Sequence, residues 1–267
     1  MQIGIIGTGM VGAAIAFSIT TEGLAQKLIL IDTNQNRAKA EAMDISHAAP
    51  FSFGTIITSG DYQALKDTDI IIITAGANQK IDETRLDLLN KNVTIFKQII
   101  PEIVKYAPNA ILLIATNPVD IMTEVTLKLS GFPKNRVIGT GTVLDSARFR
   151  SILGHHLGVS PKSVHANVIG EHGDSEVLLW AGAVAGTSGI ERIAKQLNIP
   201  LDDKIKHKID DEVRNAAYTI IEGKGSTYYG IAAATQYIVK AISSNNHTIL
   251  NISSHHDDCL GKKADRK

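Results

Sequence analysis

One histidine in the second half of the chain is well suited to acid–base chemistry. His172 lies in the polar segment 170–175, GEHGDS, directly after an apolar stretch. An imidazole has an ordinary pKa of about 6.5 and therefore gives or takes a proton at neutral pH. Taken alone, such a residue is better read as an exposed loop histidine. Its chemical role depends on the partners that the rest of the chain supplies.

Asp145 and Arg148 are the candidate partners of this histidine. They are three residues apart in the segment 144–150, LDSARFR, which places both on one face of a helical turn. Arg148 offers a planar fork for a substrate carboxylate, and Asp145 would orient His172 and stabilise its protonated form. The alternative is that Asp145 caps the helix and Arg148 forms a surface ion pair.

The start of the chain indicates a dinucleotide cofactor. Residues 7–12, GTGMVG, match GxGxxG between an apolar run and a helical pattern, and Asp32 ends the next apolar run. The glycines permit a tight turn, the helix N-terminus faces a pyrophosphate, and Asp32 binds ribose hydroxyls while repelling a 2′-phosphate. The alternative is a plain turn with a solvated Asp32. We predict NAD as the cofactor. A nicotinamide as hydride donor, Arg148 as carboxylate clamp and His172 as proton donor are groups that the reduction of a 2-keto acid requires.

The elements that must position these residues predict two domains. Apolar runs alternate with helical patterns in the first half, which is typical of a doubly wound parallel sheet with right-handed crossovers. We expect this α/β domain over 1–139 and a mixed α+β catalytic domain over 140–267, with an extensive interface between them. The expected strands are 2–6, 27–31, 55–58, 69–74, 110–115 and 136–139, with further strands around 164–169 and 177–183. The expected helices are 11–20, 37–48, 85–106, 145–157, 203–222 and 227–242.

Composition excludes several classes of protein. The chain has 267 residues, of which 44% are hydrophobic and 20% charged, so the bulk is not disordered. Its formal net charge of 0 gives no field toward nucleic acid or anionic lipid, and we expect neither as a partner. One cysteine, Cys259, cannot form an intramolecular disulfide or a cysteine metal cluster. Without a membrane-length apolar run or a signal peptide, we predict a cytoplasmic protein that holds no metal.

In combination, these segments resemble the L-lactate and malate dehydrogenases, most closely the bacterial NAD-dependent L-lactate dehydrogenases. The resemblance extends from residue 2 to about residue 253. It is carried by the glycine turn with Asp32, by ATNPVD at 115–120, by 145–148, by 170–176 and by KGST at 224–227. It implies a Rossmann domain, NAD as cofactor, and interconversion of L-lactate and pyruvate by hydride transfer.

The resemblance assigns roles to individual residues. It implies that His172 exchanges the proton, that Asp145 orients it and that Arg148 clamps the substrate carboxylate. Arg85 is then a catalytic residue on a mobile loop that closes over the substrate and polarises its carbonyl group. Two further residues would contact the substrate: Asn117, by a hydrogen bond near the nicotinamide, and Thr227, in the pocket wall.

Gln79 is the residue to which the resemblance assigns substrate choice. Malate dehydrogenases typically carry Arg there, and Arg pairs with the second carboxylate of oxaloacetate. A neutral Gln offers no compensating charge and leaves room for the methyl group of pyruvate. Gln79 therefore indicates lactate and pyruvate.

The resemblance also implies the cofactor contacts. Ile231 would pack against the nicotinamide ring, although plain core packing explains it nearly as well. The complete set is Gly7, Gly9, Met10, Val11, Gly12, Asp32, Arg37, Tyr62, Gly76, Ala77, Ala115, Thr116, Asn117, Thr140 and Ile231.

Arg150 and His165 match positions at which bacterial lactate dehydrogenases bind fructose 1,6-bisphosphate between subunits. Two basic groups suit a phosphate, although each alone is more often an ordinary surface residue. The resemblance therefore implies an allosteric activator and a homotetramer.

The chain departs from the family pattern in two places. Ile81 and Asp82 replace the usual Pro-Gly of the mobile loop, which alters two special backbone positions. The resemblance fades after residue 254, where the family continues, so we expect a catalytic domain lacking its C-terminal part. Two alternatives stay open: a truncated, inactive NAD-binding remnant, and a dehydrogenase of malate or another 2-hydroxy acid.

Overall fold

Six parallel strands form the sheet of the N-terminal half. The computed structural model describes residues 1–77 and 85–256, apart from the side chain of Arg85. The sheet order is β3-β2-β1-β4-β5-β6, which reverses direction between β1 and β4 and so creates a crevice at the carboxyl ends of these two strands. The strands are β1 (Gln2–Ile6), β2 (Lys27–Ile31), β3 (Ile56–Ser59), β4 (Ile70–Ile73), β5 (Ile111–Ile114) and β6 (Val137–Gly139).

The inner strands of this sheet are buried on both faces, which explains apolar runs such as that of β4, whereas the edge strand β3 is partly exposed. In β4, Ile70 and Ile72 pack into one core and Ile71 and Ile73 into the other, because successive side chains point to opposite faces. The predicted six strands and the doubly wound class are confirmed. The helices of this half are α1 (Met10–Thr21), α2 (Gln35–Ala48), α3 (Arg85–Tyr106) and α4 (Val119–Ser130). Helix α4 was not predicted from the sequence.

The second half combines helices with very short antiparallel strands. The elements are α5 (Val143–His156), β7 (Val164–His165), β8 (Val168–Ile169), β9 (Val177–Leu178), β10 (Val184–Ala185), β11 (Ser188–Gly189), α6 (Ile190–Gln196), α7 (Asp203–Lys224) and α8 (Tyr229–Ser244). The expected strand at 164–169 is wrong as one element, since β7 joins β10 and β11 while β8 pairs with β9. The expected strand at 177–183 is only β9 followed by a 3-10 turn, because two-residue strands leave no periodic pattern to read.

The two halves share one apolar core. Ile238 and Val239 of α8 pack with Ile15 and Ile19 of α1 beneath the sheet. The backbone of Ser253 also exchanges two hydrogen bonds with Gly139 at the end of β6, of 2.9 and 3.1 Å. The α8 contact packs the second half against α1, and the Ser253 pairing joins it to the carboxyl end of β6. In the described part of the chain, no helix combines the length and apolar character that a bilayer crossing requires.

Candidate active site

The glycine turn lies between the end of β1 and the start of α1. Gly7 has a φ of +97°, which favours glycine. A Cβ atom on Gly12 would meet the carbonyl oxygen of Gly7 at 1.9 Å, so no larger residue fits there. By contrast, among the described residues, and leaving aside Gly9 and its chain neighbours, no atom lies within 4 Å of the position that a Cβ on Gly9 would take. The turn therefore leaves an open cradle in front of the first backbone amides of α1, which fits a pyrophosphate.

Asp32 follows β2 and is fixed beside this turn. Its carboxylate accepts the backbone N–H of Thr8 at 2.7 Å, the Thr8 hydroxyl at 3.1 Å and the backbone N–H of Asn34 at 2.9 Å. Burial opposes ionisation, but these bonds outweigh it and lower the pKa of Asp32 below its ordinary value. A fixed, ionised carboxylate at this point suits the ribose hydroxyls of NAD.

Arg37 and Tyr62 lie within electrostatic reach of Asp32. The charge of Arg37 helps to lower the pKa of Asp32. Burial raises the pKa of Tyr62, and the charges of Glu102 and Asp32 add to this effect. Their predicted contact with the cofactor is therefore compatible with where they lie.

The predicted nicotinamide end is built from the segments that follow β4, β5 and β6. Asn92 of α3, which is 1% exposed, connects two of them: its Oδ1 accepts the N–H of Ala77 at 2.8 Å and its Nδ2 donates to the carbonyl of Asn117 at 2.8 Å. Asn92 was not predicted as a site residue from the sequence. The available signal was an amide on the apolar face of a helix, in register with Leu89 and Phe96.

Further contacts pack these segments closely. The Thr116 hydroxyl donates to the carbonyl of Ala75 at 2.9 Å, and a Cβ on Gly76 would meet the Thr116 methyl group at 2.7 Å. The N–H of Thr140 donates to Ile114 at 2.9 Å and continues the pairing of β5 with β6. Ala115 likewise extends β5 through a 2.9 Å bond to Ile73. The crevice edge is thus a fixed backbone surface.

Asp145 joins His172 and Arg148, which are partly exposed, in one cluster around a buried carboxylate. Its side chain is 1% exposed; Oδ1 accepts Arg148 Nη1 at 2.8 Å, and Oδ2 lies 2.6 Å from His172 Nδ1. Because an ionised carboxylate only accepts hydrogen bonds, Nδ1 carries the hydrogen and Nε2 is left for proton exchange. Among the described contacts, the two carboxylate oxygens of Asp145 bond Arg148 and His172 and no backbone N–H of α5, and the Arg148 side chain is only 13% exposed. The alternative of a cap and a surface ion pair is therefore wrong.

The backbone of His172 is held as firmly as its ring. Its N–H donates to Asp120 Oδ2 at 2.8 Å, and the other oxygen of Asp120 accepts the hydroxyl of Ser253. Burial opposes protonation of the imidazole, but the hydrogen bond and charge of Asp145 outweigh it and raise the pKa of His172. The support from Asp120 and Ser253 was not predicted, because it depends on a contact between α4 and a segment more than 130 residues away.

Glu176 is a second carboxyl group beside the cluster that the sequence analysis did not single out as a site residue. It is 3% exposed, and its Oε1 has no hydrogen-bond partner among the residues that the structure describes. Arg214 of α7 donates to the backbone carbonyls of Asp174 and Glu176 and so fixes the end of this segment. Only its place in a polar run beside His172 marked it in the sequence.

The other predicted residues lie apart from this cluster or outside the described residues. Met10 and Val11 begin α1, Thr227 is half-buried between α7 and α8, and Ile231 is half-buried in the first turn of α8. Arg150 donates to the Ser146 carbonyl at 3.2 Å on α5, and His165 is exposed on β7. Gln79, Ile81, Asp82 and Cys259 lie outside the described residues. Arg85 is the first residue of α3, and its side chain is likewise outside them.

A doubly wound sheet with an open dinucleotide cradle, together with a His–Asp–Arg cluster around one buried carboxylate, defines a nicotinamide-dependent dehydrogenase. Comparison with known proteins makes this specific. The chain belongs to the lactate/malate dehydrogenase family: the family's NAD binding domain matches residues 1–139 and its alpha/beta C-terminal domain matches residues 142–266.

Curated relatives and solved structures agree with this family. An L-lactate dehydrogenase of Allorhizobium ampelinum is 51% identical over 254 residues, which cover 95% of this chain and 82% of the relative. L-lactate dehydrogenase 1 of Clostridium acetobutylicum is 48% identical, with 95% of this chain and 81% of the relative covered. The crystal structure of the minor L-lactate dehydrogenase from Enterococcus mundtii superposes with a TM-score of 0.92 at 41% identity, covering 96% of this chain and 82% of that one.

Proposed function

We propose that the chain catalyses the NAD-dependent interconversion of L-lactate and pyruvate with His172 as the acid–base group. The observation that carries the site assignment is that one buried carboxylate, Asp145, bonds both His172 and Arg148. The similarity to L-lactate dehydrogenases over 95% of the chain supports the reaction itself.

Arg148 is the proposed clamp for the substrate carboxylate. A guanidinium group has five N–H donors in a rigid fork, and its bond to Asp145 uses one of them. The remaining donors suit a bidentate contact with a carboxylate, and the bond to Asp145 fixes the plane in which they lie. The substrate carbonyl is thereby oriented toward His172, which is tied to the same aspartate.

His172 is the proposed proton donor in pyruvate reduction and proton acceptor in lactate oxidation. Bound NADH supplies the hydride that reduces the carbonyl carbon. Nε2 of His172 gives its proton to the carbonyl oxygen, while Asp145 keeps the ring oriented and stabilises the charged form. In the reverse direction the neutral ring takes the hydroxyl proton. Asn92 supports both directions by holding the Asn117 segment in place.

Arg85, Asn117, Thr227 and Gln79 complete the proposed substrate site on the strength of the sequence resemblance. Arg85 polarises the carbonyl group, and Asn117 and Thr227 contact the substrate. For Gln79, we expect Gln79→Arg to shift the ratio of kcat/KM from pyruvate toward oxaloacetate, because Arg supplies a charge for the second carboxylate. An unchanged ratio would contradict this assignment.

We also propose a homotetramer that fructose 1,6-bisphosphate activates through Arg150 and His165. The support is two basic residues in register with the family pattern. Light scattering tests the tetramer, and pyruvate turnover at low protein and subsaturating pyruvate, with and without the sugar bisphosphate, tests activation. If fructose 1,6-bisphosphate activates Arg150→Ala as strongly as it activates the parent protein, Arg150 does not bind the activator.

The experiment that tests the proposed reaction is NADH oxidation by the purified protein with pyruvate, oxaloacetate and bulkier 2-keto acids. We expect turnover to favour pyruvate and to be lost in His172→Asn, with the exposed His155→Asn as the matched control. Fluorescence titration with NADH separates the alternatives. NADH binding without turnover of any keto acid would favour an inactive NAD-binding remnant, and preference for oxaloacetate would favour malate.

A further inference from the structure

The carboxyl group of Glu176 is buried next to the acid–base pair without serving it in the reaction proposed above. Glu176 directly precedes β9, and its N–H donates to the carbonyl of Gly173 at 3.1 Å. The nearest polar atoms of Glu176, Asp145 and His172 all lie within 4.8 Å of one another. Its Oε1 is buried with no partner in the described part of the chain. A carboxylate in this position lacks the bonds that normally offset burial of a negative charge.

The charges around Glu176 come from three elements. Asp145 and Arg148 face it from α5, Arg214 from α7 and His172 from the connecting segment. Burial and the negative charge of Asp145 raise the pKa of Glu176 to about 7, although His172, Arg214 and Arg148 work in the opposite direction. Arg214 reaches the backbone carbonyls of this segment through Nη1, which also anchors the segment.

We propose that Glu176 is a second proton-holding group of the active site, coupled to His172, whose charge state sets how strongly His172 holds its proton. When Glu176 is ionised, its negative charge favours the imidazolium; when it is neutral, that support is withdrawn. The coupling is reciprocal, so the two groups titrate as a pair rather than independently. Glu176 is thus a positioning residue that acts through His172. Its effect on turnover rests on the proposed function, whereas its effect on the titration of His172 does not.

The test compares Glu176→Gln with Glu171→Gln. Both substitutions remove one carboxylate from the same segment, but Glu171 is exposed and bonds only Ser175, at 3.1 Å among the described contacts. Nuclear magnetic resonance of the labelled imidazoles follows His172 in the protein without substrate, and kcat/KM is measured across pH in both directions. His172→Asn identifies the resonance.

In Glu176→Gln, we expect His172 to lose its proton at a lower pH than it does in the parent protein. Pyruvate reduction needs the protonated ring, so kcat/KM falls about three- to tenfold on the alkaline limb and is unchanged at low pH, where Glu176 is neutral in the parent too. Lactate oxidation needs the neutral ring and gains only in the pH range where, in the parent protein, Glu176 is ionised while His172 is still protonated. A purely structural role would lower both directions by one factor at every pH.

Superposable His172 titrations in the parent protein and Glu176→Gln would overturn the proposal. Absence of turnover in every variant would instead contradict the proposed function, since the titration remains measurable without it. If Glu176→Gln does not fold, infrared spectra of the parent protein labelled with ¹³C-glutamate decide the matter. We expect a carboxylic acid band that disappears as pH rises through about 7, and its absence at slightly acidic pH would refute the proposal.

Discussion

Asp145→Asn tests the two hydrogen bonds of Asp145 that organise the proposed active site, with little change to the shape of the side chain. The substitution keeps the shape of a buried side chain but removes its charge, which His172 and Arg148 now share at 2.6 and 2.8 Å. A hydrogen bond to a charged group contributes about 1.5–3 kcal/mol. Because about 1.4 kcal/mol corresponds to a factor of ten, His172 should hold its proton about 10- to 150-fold less strongly.

The consequences for turnover follow from the sign of this change. Asp145 raises the pKa of His172, so the protonated form needed for pyruvate reduction persists to higher pH in the parent protein. In Asp145→Asn it is lost at lower pH, and the less firmly oriented Arg148 raises KM for pyruvate. We expect kcat/KM for pyruvate near neutral pH to fall roughly 100- to 1,000-fold. Lactate oxidation, which uses neutral His172, should lose less, and the deficit in reduction should shrink as pH falls.

The assay is kcat/KM for pyruvate and for lactate between about pH 5 and 9. Asp44→Asn, an exposed change of the same type on α2, is the control. Thermal unfolding verifies that Asp145→Asn is folded. An equal fractional loss in both directions at every pH would refute the reasoning, because it would show that Asp145 does not act through the proton affinity of His172.

Three further predictions concern the cofactor crevice. Gly12→Ala should lower the unfolding temperature strongly, because its Cβ would overlap the backbone, whereas Gly9→Ala should leave it unchanged and weaken only NADH binding; equal effects on stability would contradict the open cradle. Asn92→Ala should lower the unfolding free energy by about 1–3 kcal/mol and raise KM for both substrates, as measured by unfolding in denaturant and by steady-state kinetics. Unchanged stability and unchanged KM would show that Asn92 does not support the site. Asp32→Asn should weaken NADH binding and raise the affinity for NADPH relative to NADH, as measured by fluorescence titration with both cofactors. An unchanged ratio of the two dissociation constants would count against a contact between Asp32 and the ribose.

Patterns of local origin were predictable because they depend on neighbours in the chain. Strands buried on both faces are largely apolar, so short β-branched runs such as the four isoleucines of β4 indicate the sheet. The glycine turn and Asp32 are separated by a fixed strand–helix–strand unit, and this spacing alone indicates NAD. The two-residue strands β7 to β11 are too short to show a periodic pattern. Helix α4 begins directly after Pro118, within the segment 115–120 that was interpreted as a binding motif and not as the start of a helix.

The sequence by itself determined which residue types are present for the chemistry: a histidine, an aspartate and an arginine in polar surroundings, behind a dinucleotide-binding sheet. Only the tertiary structure decided which partners these groups bond and how far they are removed from water. Asp145 and His172 are 27 residues apart, and their bond exists because α5 packs beneath the segment that carries His172. Glu176 and Asn92 are likewise buried, with exposures of 3% and 1%. Desolvation depends on atoms contributed by distant parts of the chain, so no local pattern records it, yet it raises the pKa of Glu176 and makes each bond of Asn92 costly to lose.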